Sequence, residues 1–184
     1  MPLLTLGMGL SSPTAGLVLT FNTAVMIAVG PLHGILSSRL DARRDRIVLL
    51  GGLLTLCSWV LFFFPSHPRG VMAAIGMNFL LGLITPTSNY GFDYVRERME
   101  RSTVATGTGL ANMGGFIAGM IAGQTTGFLL DQHSDGAALQ WDDFRFAWVG
   151  VTATVAVGVI GLLVSSFYVR RTASMRIVNT TDDS

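Results

Sequence analysis

The sequence predicts an all-α integral membrane protein with about five transmembrane helices. Three observations carry this. Half of the 184 residues are hydrophobic, only 12% are charged, and the mean hydropathy is +0.55; a soluble domain carries about 25% charged residues. The apolar residues fall in long blocks, each near the roughly 20 residues a helix needs to cross the hydrocarbon core. Short polar or Pro/Gly-containing links separate the blocks. A chain with so few charges cannot cover a globular surface, which excludes an ordinary soluble enzyme. The net charge of +1 leaves no electrostatic footprint for nucleic acid. The single cysteine, Cys57, excludes an internal disulfide and a cysteine-based zinc site. All twelve basic residues are Arg.

The elements follow in order. Residues 1–12 are apolar but too short to span, and form an outer segment. The five spans are Pro13–Ser37, Ile47–Phe64, Val71–Phe92, Thr103–Leu130 and Phe146–Val169, a helical bundle over residues 13–169. All-helix is the expected choice because lipid-exposed backbone must satisfy its own hydrogen bonds, and no alternating ten-residue strands of a β-barrel are visible. Arg39–Arg46 is a charged turn, Pro65–Gly70 a helix-stopping turn, Asp93–Ser102 a charged link, and Asp131–Arg145 a longer acidic link. Links this short make neighbouring helices antiparallel. Residues 170–184 turn polar and read as a disordered tail. Pro31 and Pro86 lie within spans and should kink them.

Orientation follows from the Arg residues. Ten of the twelve lie in the first link, the third link and the tail, which are therefore cytoplasmic. Arg69 and Arg145 sit on the opposite side with Asp131, Asp135, Asp142 and Asp143. This predicts a multi-pass protein of the cell membrane, with an outside N-terminus and a cytoplasmic C-terminus. No charged n-region or cleavage site marks Met1–Ser37 as a signal peptide.

The first link, Gly34-Ile-Leu-Ser-Ser-Arg-Leu-Asp-Ala-Arg-Arg44, resembles the loop motif G-x-L-x-D-R-x-G-R-R of the major facilitator superfamily. Gly34, Leu36, Arg39 and Arg43 match; Ser38 stands where an acid is usual, and Asp41 where a second Gly is usual. In that family the motif joins helices two and three, with a degenerate copy between eight and nine, and the departures fit the degenerate copy. The physical logic is that Gly permits close helix approach, while Arg caps helix C-terminal carbonyls and pairs with acids. The stretch Asp93–Gly107, with its continuation to Phe116, is similar to the family's link between helices ten and eleven. The resemblance implies that the chain is the C-terminal part of a transporter, helices eight to twelve, with residues 1–12 ending helix seven. The expected activity is transport of a small solute by alternating access. The partners implied are the bilayer, the solute, and an N-terminal half or another copy. Asp93 is expected to form a gate ion pair with an Arg of the Gly34–Arg44 loop.

Gly115, Gly119, Gly123 and Gly127 recur every four residues along the fourth span. They therefore share one face, the small-residue pattern of close helix contacts. Polar residues inside a membrane are functional candidates. The amides Asn22, Asn78, Asn89, Asn112 and Gln124 all lie on the first, third and fourth spans. Those spans should line a cavity, and the second and fifth should face lipid. Asn22, Asn78, Asn112 and Gln124 are the cavity candidates; Asn89 lies near the cytoplasmic end. His33 reads as an interfacial packing residue, with a proton relay as the alternative. No Walker loop, metal-spaced cluster or nucleophile elbow is present. The sequence therefore calls for no cofactor and no enzyme activity, while proton coupling stays compatible with the resemblance. The alternative function is a membrane assembly protein that uses the glycine face to bind a partner helix.

Overall fold

The computed structural model describes residues 1–40 and 43–182, with side chains as far as residue 168. Asp41 and the side chains of Arg170, Arg171 and Arg176 lie outside the described residues. Among the described residues, six α-helices follow a short π-helical turn at Leu3–Gly7: α1 Ser12–Arg39, α2 Arg44–Phe63, α3 Val71–Ile84, α4 Tyr90–Arg98, α5 Val104–Ser134 and α6 Trp141–Asp182. They make five segments long and apolar enough to cross a membrane, because α3 and α4 act as one interrupted span, Val71–Arg98.

Local chemistry sets the boundaries. The Ser11 hydroxyl accepts the Thr14 N–H and Pro13 follows in the first turn, so α1 starts there. Pro65 and Pro68 fall in the link between α2 and α3. Asp135 is left-handed (φ 47°) and ends α5. The Asp143 carboxylate accepts the Gln140 N–H at 2.7 Å and so caps α6.

Several boundaries differ from the sequence expectation: the link expected at Asp131–Arg145 is largely helical, since α5 runs to Ser134 and α6 starts at Trp141. The third span does not stay regular as far as Phe92: it narrows to a 3-10 turn at Thr85–Asn89 and resumes as α4 to Arg98. Pro86 is the cause, since it has no N–H and its ring crowds the carbonyl four residues back. The last helix continues to Asp182, where a disordered tail was expected from Arg170. No Gly or Pro occurs after Gly161, so nothing in the local sequence stops it.

The helices make a chain of neighbours: α1 against α3, α3 against α2, α2 against α6, and α6 against α5. The apolar core sits at the Arg-poor end, where Leu4, Met8, Val18, Phe62, Met77 and Phe144 meet. The amino-terminal segment is thus folded into the bundle, with Leu4 and Met8 buried. Trp141 donates to the Pro65 carbonyl at 3.1 Å, and Arg145 Nε to the Phe63 carbonyl at 2.9 Å. These bonds satisfy backbone at the end of α2 that has no helical partner.

Glycines let the helices approach. A Cβ at Gly82 would lie 2.9 Å from the Asn22 carbonyl oxygen of α1. One at Gly52 would lie 2.9 Å from Val159, and one at Gly150 2.9 Å from Thr125. Gly51 faces the other way, toward Ile84 and Thr87, so the Gly51-Gly52 pair packs α2 between two neighbours.

Candidate functional site

Two regions hold most of the polar groups that the sequence singles out; a separate cluster at the opposite end joins His133 to Asp143 and Arg145 to Asp142. The first is the Arg-rich end. The last turns of α1, the start of α2 and the whole of α4 converge there. The Ser37 hydroxyl donates to Asp93 at 2.6 Å. Arg44 Nε donates to the Ser37 carbonyl at 2.8 Å, which supplies a donor to the C-terminus of α1. The Arg44 guanidinium then pairs two-pronged with Glu97, one contact at 2.8 Å. Ser37 and Arg44 are buried, so this is a built cluster and not a solvated fringe.

The residues that match the motif and the residues that make this cluster are largely different. Gly34 makes no close helix contact; a Cβ there would meet nothing within 4 Å. Arg39 and Arg43 are exposed. The cation that engages is Arg44, the last residue of the motif stretch, and its carboxylate is Glu97. Asp93 takes part by accepting a hydroxyl. Arg44 wins because it begins α2 and points back at the α1 terminus, whereas Arg39 ends α1. Glu97 was missed, although it stands four residues after Asp93 and so on the same face of α4.

The amides divide into two classes. Asn22 Nδ2 donates to the Asn78 carbonyl at 2.6 Å, and Asn78 Nδ2 to the Ala74 carbonyl at 2.9 Å. Both are half-buried, but only the Asn22 bond crosses from α1 to α3, while the Asn78 side chain bonds within α3. The Asn22 amide is therefore engaged in a packing contact, which Asn78 joins through its backbone carbonyl. Ala74, Asn78 and Gly82, four residues apart on the α1-facing side, were the legible signal for it. Asn112 and Gln124 instead lie exposed on α5 and make no hydrogen bond among the described residues. Asn89 is likewise exposed.

The second region is that α5 surface. No residue of α5 is buried. It rests chiefly on α6, and on α4 at the Arg-rich end. Gly115, Gly119, Gly123 and Gly127 touch no other helix: a Cβ on any of them would meet nothing within 4 Å. The expected close contact is thus absent within the described chain, and the face lies open beside Phe116, 72% exposed, and Met120, 61% exposed. The helix closest to α5 meets it through Thr125 and Gly150 instead.

Away from both regions, α2 and α6 enclose a groove of about 630 Å³ lined by Trp59, Phe63, Trp148 and Arg145. The outward residues of these helices are apolar: Leu50, Leu54, Leu61, Val157 and Ile160 are exposed. Among the described residues no group of His, Cys, Asp or Glu could hold a metal ion.

The sequence matches the family model described as Major Facilitator Superfamily over residues 1–183. No curated protein and no solved structure matches the chain.

Proposed function

The chain belongs to the major facilitator superfamily, and from that premise we propose that it forms one wall of a solute path, in the position of helices eight to twelve. The path works by alternating access, two halves rocking about a central site. One observation carries this reading: Asn112 and Gln124 stand exposed and unbonded on α5, a helix with no buried residue. An unpaired amide in hydrocarbon costs on the order of a few kcal/mol. Amides placed in this way call for water, a solute and a second wall.

The Arg-rich end is the cytoplasmic end in this reading, and the carboxy terminus lies there. The Ser37–Asp93 and Arg44–Glu97 contacts hold α1, α2 and α4 together as a cytoplasmic clasp. The solute is small, and Asn112 and Gln124 contact it directly.

The test joins the chain to the six-helix N-terminal half and seventh helix of a family transporter of known solute. The chimera is expected to take up that solute in proteoliposomes, and the 184-residue chain by itself is not. Uptake by the lone chain at the rate of the chimera overturns the one-wall reading.

A further inference from the structure

We infer that His33 is a positioning residue that splints the interrupted third span across its break. The break at Thr85–Asn89 leaves backbone unsatisfied for a definite reason. In the 3-10 pattern the Leu83 carbonyl would bond the N–H of residue 86, and residue 86 is Pro. His33 Nε2, reaching from α1, lies 3.0 Å from that carbonyl oxygen. A carbonyl only accepts, so Nε2 carries the proton. In the tautomer protonated at Nε2, Nδ1 is an acceptor, and the Tyr90 hydroxyl lies 2.9 Å from it. One imidazole therefore holds Leu83, in the last turn of α3, and Tyr90, the first residue of α4.

Those two anchors fix the angle at which α4 leaves the break. Tyr90 is 2% exposed, so its ring cannot swing away without opening the contact. Further along α4 lie Asp93 and Glu97, which grip Ser37 and Arg44. The splint thus sets where the clasp residues meet their partners. The inference rests on the transport reading in one respect: the break is the hinge about which α4 moves as the clasp opens.

The test reads geometry, not uptake, so its failure is distinct from failure of the transport reading. Nitroxide labels are placed on the full chain in a Cys57→Ser background at Ile35 and Tyr94, reporting α1 to α4. A second pair at Leu19 and Met72 reports α1 to α3. His33→Phe keeps a ring and removes both bonds. It is expected to add a longer α1–α4 distance while leaving the α1–α3 distance unchanged. His33→Gln, whose amide supplies an N–H donor group beside a carbonyl acceptor, is expected to restore the wild-type α1–α4 distribution. An unchanged α1–α4 distance in His33→Phe overturns the inference, and so does an equal change at both pairs. If His33→Phe yields no folded protein, Tyr90→Phe is read in its place, and an unchanged α1–α4 distance there overturns the inference as well.

Discussion

Arg44 and Glu97, 53 residues apart in sequence, form a two-pronged ion pair that ties the first residue of α2 to the last turn of α4. The two side chains are unequal in setting. That of Arg44 is 6% exposed and that of Glu97 is 44% exposed. The buried partner also holds the Ser37 carbonyl, so the pair is one member of a cluster.

That inequality sets the size of the effect expected on mutation. Breaking a fully buried pair costs about 3–5 kcal/mol, and an exposed pair is worth about 0–1 kcal/mol. Glu97→Gln is expected between these limits, at roughly 1–2 kcal/mol of stability in detergent unfolding. Arg44→Gln should cost more, since it also removes the bond to Ser37. The double variant should lose less than the sum of the two; strict additivity would mean the pair is not energetically coupled.

Gly82 and Gly119 should respond in opposite ways to the same change. At Gly82 a Cβ meets backbone oxygen of α1, which cannot swing aside. Overpacking of this kind costs about 1–3 kcal/mol, so Gly82→Ala is expected to lower the unfolding midpoint of the chain. Gly119 has nothing within 4 Å, and Gly to Ala in an open helix is neutral or gains up to about 1 kcal/mol. Equal destabilisation by both would contradict the packing described for α1 and α3.

The two classes of amide predict two kinds of loss. Asn22→Ala removes the bond from α1 to the Asn78 carbonyl, worth about 0.6–2 kcal/mol in a membrane bundle, and should appear as reduced stability. Asn112→Ala and Gln124→Ala should leave stability unchanged and reduce uptake by the joined transporter, at matched expression. A stability loss at Asn112 as large as at Asn22 would mean that the α5 amides are structural too.

Orientation has its own check. Reporters fused after Arg44, Met99 and Arg176 are expected to report cytoplasm, and those near Arg69 and Asp135 the outside. An external report after Arg176 reverses the assignment.

Much of this architecture was legible because membrane helices announce themselves by composition. The five blocks became the five spans, and the Pro65–Gly70 turn fell between two helix ends. Pro86 was read as a kink, and its full consequence, a 3-10 turn, follows from the same missing N–H. Partner choice was not legible. A motif names residue types at spacings, but which Arg engages depends on where α1 stops and α2 starts, and that favoured Arg44 over Arg39 and Arg43. The glycine stripe shows the same limit. Periodicity marked Gly115 to Gly127 as one face, yet close approaches occur instead at positions such as Gly52, Gly82 and Gly150, where single small residues meet a neighbour's backbone or branched side chain. Asn22 and Asn112 look alike in sequence, and only the location of a neighbouring helix separates a packing amide from an open one.

The central claim is that the open side of α5 lines water and not lipid. Single cysteines at Asn112 and Gln124 of the joined transporter, with no other cysteine present and in native membranes, test it with a membrane-impermeant maleimide. The reagent needs a thiolate, which forms in water and not in hydrocarbon. Control cysteines go at Val157 and Ile160, exposed on α6 by 69% and 58%. The account predicts labelling at 112 and 124 and little at 157 and 160; equally low labelling at all four positions would contradict it.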